Sequence, residues 1–236
     1  MFMGKILIIG ANGAVGKSCV QKLKDNNELV LISRSKEEDS ENSPNISSIT
    51  LDINDYENTQ KFINSIDYEI SGIIFALGSI VLKPFKQTSV KEFIEVMNGN
   101  FFNVANFLHN SIDKFSNNSS VVFFSSIAAS RGFKNHTAIS SAKSALKGLS
   151  VSLAADFAPK IRFNTISPSL SYSKMSNFIT SNEKVAEGLG KLHPMSRLGN
   201  GSDIAELAAF LISNQSSWIT GQNFNVDGGR STLFTK

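Results

Sequence analysis

The stretch KILIIGANGAVGKSCVQKL, residues 5–23, decides the fold of this chain. It begins with the apolar run Lys5 to Ile9, which is typical of a parallel β-strand covered on both faces. Glycines follow at positions 10, 13 and 16, and a helical segment is expected from near Lys17. A strand, a glycine-rich turn and a helix in this order predict the first half of a βαβ unit.

The glycines also indicate what this turn binds. A phosphate reaches the backbone N–H groups and the positive end of a helix only where Cβ atoms are absent. In this interpretation Gly10 forms the tight turn, Gly13 admits the pyrophosphate of a dinucleotide, and Gly16 packs the helix closely on the strand. Glycines also serve ordinary turns, so the prediction depends on their place directly after the first strand.

Further apolar runs are separated by segments long enough for helices. They are Glu28–Ser33, Ser71–Ala76, Ser120–Ser125 and Ile161–Ser167. This alternation predicts an α/β fold: a single Rossmann-type, doubly wound parallel sheet with helices on both faces. With 236 residues, 41% of them hydrophobic, we expect one domain over residues 1–236, with a substrate loop at about 170–195.

Three helices and one loop are predicted in detail. Helices are expected after His136, over Val90 to Ser111, and after an N-cap at Ser202. The polar stretch Ser35 to Ser48 predicts a surface loop. The helix after His136 carries an apolar stripe interpreted as core: Ala142, Ala145, Leu146, Leu149 and Leu153.

Composition excludes several classes of function. A net charge of +3, from 23 basic and 20 acidic side chains that are well mixed, gives no case for nucleic acid. No apolar stretch is long enough to cross a bilayer, and the amino terminus lacks a signal-peptide core. The lone Cys19 and three histidines are not at metal-ligand spacing. We therefore expect a cytoplasmic protein with a small-molecule substrate and no metal.

The end of the second strand predicts which dinucleotide binds. NAD-selective Rossmann proteins place a carboxylate there, on the ribose 2′-OH. Here Ser33 and Arg34 leave room for a 2′-phosphate and supply a guanidinium to bind it. The pattern favours NADP(H) over NAD(H). The alternative is that Arg34 is a solvated loop residue.

From Lys5 onward the chain resembles the short-chain dehydrogenase/reductases. The resemblance is carried by SSAKSALKGLSVSLAADFAPKIRFNTISPS, residues 140–169, and by HPMSRLGNGSDIAELAAFLISNQSSWITGQNFNVDGG, residues 193–229. It implies an NAD(P)(H)-dependent oxidoreductase that pairs as a homodimer or homotetramer through the helix from Val90.

The resemblance also implies the cofactor-binding positions. They are Gly10, Asn12, Gly13, Val15, Gly16, Ser33, Arg34, Asp52, Ile53, Ala76, Gly78, Lys143, Pro168 and Ser173. Asp52, after a third strand, is implied to contact the adenine. Two turns depart from the family pattern, because Ala76-Leu77-Gly78 replaces Asn-Ala-Gly and Pro168-Ser169 replaces Pro-Gly.

Of the catalytic residues, Lys143 matches the family's active-site lysine, Ser126 its substrate-orienting serine and Asn98 its helix asparagine. The tyrosine expected four residues before the lysine is replaced by Ile139. In the family that tyrosine exchanges a proton with the substrate oxygen, which an aliphatic side chain cannot do. Ser126 and Asn98 have the alternative of merely satisfying backbone groups.

His136 is our hypothesis for the substitute acid/base, because it lies seven residues before Lys143 and imidazole titrates near neutrality. The alternative is a surface or cap residue. Ser140 and Tyr172 are weaker candidates, and His193 is expected in a loop without a catalytic role. The sequence thus predicts a reductase of a small carbonyl or activated alkene. The alternative is a catalytically inactive nucleotide-binding, regulatory or partner protein.

Overall fold

Seven parallel strands form one sheet in this computed structural model, which describes residues 4–35 and 43–235. The order is β3-β2-β1-β4-β5-β6-β7. The strands are β1 (Lys5–Ile9), β2 (Leu29–Ser33), β3 (Ile46–Thr50), β4 (Ile70–Phe75), β5 (Phe115–Phe124), β6 (Ile161–Pro168) and β7 (Asn223–Val226). The predicted Rossmann-type sheet is confirmed.

Helices cover both faces of this sheet. They are α1 (Ala14–Leu23), α2 (Tyr56–Asn64), α3 (Val90–Met97), α4 (Asn103–Ser111), α5 (Thr137–Phe157), α6 (Asn177–Thr180), α7 (Glu183–Gly190) and α8 (Gly201–Ile212). α1 and α8 pack together over one apolar layer, and α2, α4 and α5 contribute to the layer on the other face. In α5, Leu146 is buried in that layer and Leu149 and Leu153 pack against it, as the predicted stripe requires.

The order of the strands reverses beside β1, which pairs with β2 on one side and β4 on the other. In open α/β sheets ligands bind in the crevice at the carboxyl ends of the strands where this reversal occurs. The glycine turn lies at that point, between β1 and α1. The fold therefore places this turn at the mouth of the crevice.

Within the glycine turn, backbone lies against backbone. Gly10 has a φ of +87°, and a Cβ there would be 2.3 Å from the Ala76 carbonyl oxygen. A Cβ at Gly16 would be 2.3 Å from the Gly10 carbonyl oxygen. α1 begins at Ala14, three residues earlier than expected, and its N-cap, Gly13, provides no side-chain cap. The first N–H groups of α1 therefore remain available to a ligand.

The edges of the sheet differ from expectation. Ile46 to Ser48, predicted as loop, belong to β3, and residues 36–42 of the same stretch lie outside the described residues. β7 was not predicted. Both are edge strands with one neighbour: β7 alternates exposed and half-buried residues, β3 has only its two isoleucines half-buried, and the apolar signal of each is weak.

The start of α8 is also a correction, because its N-cap is Asn200 and not Ser202. Asn200 and Asp203 form a capping box, in which the Asn200 N–H donates to Asp203 Oδ2 at 2.7 Å. A Cβ at Gly201 would be 2.4 Å from the Ala14 carbonyl oxygen. The helix therefore begins with a glycine because its first turn lies against α1.

We expect Gly10→Ala to lower the free energy of unfolding by at least about 2 kcal/mol, because it combines positive φ with a backbone overlap. Gly132→Ala is the matched control, since nothing lies within 4 Å of a Cβ at that position. Urea unfolding of both variants tests this. Equal stability of the two variants would contradict the strain argument.

Candidate active site

The ammonium group of Lys143 is buried at the carboxyl end of β5. The side chain is 8% exposed, and Nζ donates a hydrogen bond of 2.8 Å to the carbonyl oxygen of Phe124. Ser125 Oγ in turn donates to the Lys143 carbonyl oxygen at 2.8 Å. Burial lowers the pKa of Lys143 to about 8. The lysine is thus held in place and loses its proton more readily than an exposed lysine.

An asparagine from the helical segment between α3 and α4 lies near this lysine. The predicted helix Val90 to Ser111 contains a π-helical turn, Asn98–Phe102, between α3 and α4. Within it Asn100 is fully buried, and its Nδ2 donates to the carbonyl oxygens of Val96 and Ser79, both at 2.9 Å. π turns are frequent at functional sites.

Gly78 is the point where the asparagine and the lysine converge. A Cβ at Gly78 would be 2.7 Å from Asn100 Oδ1 and 3.3 Å from Lys143 Nζ. Among the described residues Asn100 Oδ1 has no hydrogen-bond partner although it is buried. An unpartnered buried acceptor beside a buried ammonium indicates a place for a polar ligand or water.

The structure corrects the predicted asparagine. Asn98 is exposed at the start of the π turn, whereas Asn100 contacts the Gly78 turn. Val96, Asn100 and Val104 recur every four residues and are all buried. A polar residue on such an apolar stripe was the signal in the sequence that should have singled out Asn100.

Ser126 directly follows Ser125 at the end of β5. It is half-buried, and its Oγ accepts a hydrogen bond of 3.1 Å from the Ala128 N–H. This contact caps the short 3₁₀ turn Ile127–Ala129. The contact uses the oxygen as acceptor, so the hydroxyl hydrogen can still be donated to a substrate.

Ile139 lies in apolar packing one helical turn before Lys143. Its side chain is 5% exposed. The apolar cluster around it comprises Val96, Ala138 and Ala142, with Ile80, Val81, Leu82, Phe93 and Met97 against its edge. The position that would carry a tyrosine hydroxyl is therefore filled by hydrocarbon.

His136 precedes α5 and is half-buried. Its Nδ1 is 2.7 Å from the Lys134 carbonyl oxygen, and its ring centroid is 5.5 Å from that of Phe133. A carbonyl only accepts, so Nδ1 donates this bond, and Nε2 is the ring nitrogen that takes no part in it. In the described part of the chain no hydrogen bond joins His136 to Lys143 or Ser126.

The two weaker candidates are placed as follows. Ser140 is half-buried, and its N–H donates to the His136 carbonyl oxygen at 2.8 Å. Tyr172 is exposed, and its N–H donates to the Gly199 carbonyl oxygen at 3.0 Å. Neither contact places a hydroxyl beside Lys143.

A hydrogen bond connects the turn after β1 with the turn after β2. Asn12 Nδ2 donates to the Ser35 carbonyl oxygen at 2.9 Å, and Ser33 Oγ donates to the same oxygen at 2.8 Å. Arg34 is exposed between them. After β3, Asp52 is exposed and accepts from the Asn54 N–H at 3.0 Å.

Three further predicted positions belong to the body of the fold. Ile53 is buried in the core, Val15 packs against the layer between α1 and α8, and the Ala76 N–H donates to the Ile9 carbonyl oxygen at 2.7 Å. Any cofactor contact from Ile53 or Val15 is therefore restricted to their backbone or to the exposed edge of the side chain.

A histidine contact that the sequence did not reveal follows β6. His193 is in a turn, as expected, but it is 3% exposed and its Nε2 is 2.8 Å from Ser169 Oγ. Its Nδ1 is 3.0 Å from the Leu189 carbonyl oxygen. Nearby, Ser173 Oγ accepts from the Ser176 N–H at 3.1 Å. These bonds fix the segment that runs from Pro168 into the substrate-loop region.

These residues fit a dinucleotide. The glycine turn is a cradle that a Cβ would fill, α1 offers uncapped N–H groups, and Lys143 and Asn100 provide polar atoms at the far end. Within residues 4–35 and 43–235 no three histidine, cysteine or acidic side chains are grouped so that they can hold a metal. No helix in those ranges is long and apolar enough to cross a membrane.

A profile of the family described as enoyl-(acyl carrier protein) reductase matches residues 10–231 of this chain. The chain belongs to the short-chain dehydrogenase/reductase family. This family consists of oxidoreductases. The resemblance carried by residues 140–169 and 193–229 is confirmed, because the profile covers both segments.

Two relatives illustrate the family membership. Short-chain dehydrogenase/reductase SDRA of Arabidopsis thaliana is 41% identical over 114 residues, which cover 47% of this chain and 44% of that protein. The match therefore spans less than half the length of SDRA. The 3-oxoacyl-acyl-carrier-protein reductase FabG of Buchnera aphidicola is 30% identical over 237 residues, covering 94% of this chain and 95% of FabG.

A solved structure with cofactor also matches. ElxO with NADP bound has a TM-score of 0.88 and 25% identity, covering 98% of this chain and 100% of ElxO. ElxO has further been solved as a tyrosine-to-phenylalanine variant with NADPH bound. This short-chain dehydrogenase/reductase chain thus shares its fold with a dinucleotide-binding protein over nearly its whole length.

Lys143 predicts a specific dependence of stability on pH. Its folded pKa of about 8 lies below the unfolded value of about 10.4, so between these values the unfolded chain binds more protons. Stability should therefore rise from pH 8 to pH 10 through this group, by up to about 3 kcal/mol.

The test is urea unfolding across this pH range for the native chain, Lys143→Met and the control Lys147→Met on the same helix. The rise should shrink only in Lys143→Met. An identical pH dependence in all three proteins would contradict the burial of a titrating ammonium.

Proposed function

We propose that this protein is an NADPH-dependent reductase of a small carbonyl compound or activated alkene, with an atypical proton donor. The observation that carries the proposal is the burial of Lys143 Nζ beside the unpartnered Oδ1 of Asn100. Burying an ammonium group costs free energy of desolvation, which has to be offset by interactions of its charge. A cofactor and substrate that use the charge provide such interactions.

The residues divide the work as follows. The N-terminus of α1 binds the cofactor phosphates, Arg34 binds a 2′-phosphate, and Lys143 donates hydrogen bonds to the nicotinamide ribose, as the family resemblance implies. When bound, the nicotinamide supplies the hydride. Ser126 donates its hydroxyl hydrogen to the substrate oxygen and so orients the substrate.

His136 supplies the proton in this proposal. Its Nδ1 is held by the Lys134 carbonyl oxygen, which leaves Nε2 to carry a proton to the product and to regain one from solvent. The residue is half-buried, so the side chain is partly exposed to solvent. General acid–base help is worth about 10²–10⁴-fold in rate, so its source decides whether turnover is measurable.

A second function is favoured by one observation, the burial of Ile139 in hydrocarbon. A protein that binds the dinucleotide without turning over a substrate has no need of a hydroxyl at that position. It would act as a nucleotide sensor or as a partner subunit.

The cofactor preference is tested by titrating both reduced dinucleotides. We expect NADPH to bind at least about tenfold more tightly than NADH, and Arg34→Ala to remove this difference because it deletes the bidentate partner of the 2′-phosphate. Lys86→Ala, an exposed lysine distant in sequence, serves as control and should bind like the native chain. NADH binding as tightly as NADPH would refute the preference.

The proton donor is tested by NADPH oxidation with a panel of small carbonyl compounds. His136→Gln should lose about 10²-fold or more in kcat with NADPH affinity unchanged, while His109→Gln, an exposed histidine on α4, should match the native chain.

The same panel with Ile139→Tyr separates the two functions. Native turnover that depends on His136 supports the reductase. Turnover that arises only in Ile139→Tyr would instead identify a binding protein on an enzyme scaffold.

A further inference from the structure

Two arginines from separate loops lie together at the carboxyl edge of the sheet. Arg131 is in the loop after β5, and Arg230 follows β7. Arg131 Nη1 donates a hydrogen bond to the carbonyl oxygen of Arg230. The guanidinium carbon of Arg230 lies 5.5 Å from the ring centroid of Phe133, within the range of a cation–π contact. The pair is therefore held by specific contacts.

The positive charge of this pair is not compensated within the protein. In the described ranges neither guanidinium has a carboxylate within 4.0 Å, as every ion pair there involves other residues. The nearest acidic residue in sequence to Arg230 is Asp227, whose Oδ1 and Oδ2 accept from the N–H groups of Gly229 and Ser231 at 2.8 and 2.9 Å.

The surrounding sequence adds to the excess of positive charge. Residues 115–155 contain no aspartate or glutamate but four basic side chains, including Arg131 and Lys134. Partial burial and the charge of Arg131 both lower the pKa of Arg230. Like charges brought this close repel, and an anion between them would remove the repulsion.

We propose that Arg131 and Arg230 bind a carboxylate or phosphate group of the substrate. The inference rests on the proposed reductase function and specifies its substrate class: a small carbonyl compound or activated alkene that carries an anion. Guanidinium groups bind both anions through paired N–H donors, and Phe133 provides an apolar wall beside them.

The location suits a substrate and does not suit the cofactor phosphates. Arg131 lies five residues after Ser126, in the loop that also carries Phe133 and His136. The cofactor phosphates are expected at the glycine turn after β1 and at Arg34 after β2. Arg131 and Arg230 follow β5 and β7, on the other side of β4 in the sheet.

The test is isothermal titration calorimetry of benzoate and of phenyl phosphate into the NADPH-saturated protein. We expect at least one of the two anions to bind, and Arg131→Gln and Arg230→Gln each to weaken it by about tenfold. Lys134→Gln, in the same loop, is the matched control and should change the affinity less than about twofold. The two ligands distinguish a carboxylate site from a phosphate site, and binding of either that weakens in both arginine variants supports the proposal.

Two results would overturn the inference. One is unchanged affinity for both anions in the Arg131→Gln, Arg230→Gln double variant. The other is native protein that binds an anion only without NADPH, which would place the anion at the cofactor phosphates. Failure of the reductase proposal is distinguishable, because it appears as a lack of turnover in native protein whose anion binding remains sensitive to both arginines.

Discussion

The contact of backbone with backbone at the turn after β1 is the constraint on which the rest of the structure depends. Gly10 lies so close to the carbonyl of Ala76 that no side chain fits, and Gly16 lies equally close to Gly10. This brings the uncapped start of α1 to the crevice and fixes where β4 ends. Two residues beyond Ala76, Gly78 lies close to the side chains of Asn100 and Lys143. The close contacts at Gly10, Gly16 and Gly78 thus connect the glycine turn before α1 with Lys143 and Asn100.

The sequence predicts the strands that are buried on both faces and fails at the edges of the sheet. Continuous apolar runs mark β1, β2, β4 and the second half of β5 because both faces must be covered. β3 and β7 each have one neighbour, so their exposed positions are polar and resemble loop. Edge strands are stabilised by backbone pairing with the sheet, and local composition does not show this pairing.

The sequence identifies candidate site residues by their type and spacing but does not show which way their side chains point. Lys143 was identifiable because it stands in the long matching segment of residues 140–169, and Ser126 because it directly follows the apolar run Ser120–Ser125. Asn98 and Asn100 are two residues apart in the π turn, and in the sequence only the buried spacing of Val96, Asn100 and Val104 distinguishes the one near the lysine. The pairing of His193 with Ser169, like that of Arg131 with Arg230, joins loops far apart in sequence. Such contacts depend on tertiary structure, which periodicity cannot supply.

A comparison of two buried cations supports a functional role for the lysine. The Arg162 guanidinium is surrounded by acceptors, including the carbonyl oxygens of Ser216 and Ser213 at 2.9 and 3.0 Å and the Ser216 hydroxyl at 2.8 Å. That arrangement satisfies the charge and holds the chain in place. Among the described residues Lys143 Nζ has one acceptor, the Phe124 carbonyl oxygen, so two of its three N–H donors remain for a ligand.

Ile139 stands where the resemblance to the family predicts a tyrosine, and this position sharpens the argument. If the lysine served only to activate that tyrosine, its burial would now be a cost without a benefit, since methionine would fill the volume without a charge. The burial of Lys143 beside the unpartnered Asn100 Oδ1 supports the proposal that a ligand hydrogen-bonds to the ammonium directly. Ribose hydroxyls meet that requirement, because they accept from Nζ and donate to a carbonyl-type oxygen. In the proposed reductase the cofactor would use the ammonium of Lys143, and the hydroxyl of Ser126 and the charges of Arg131 and Arg230 would act on the substrate.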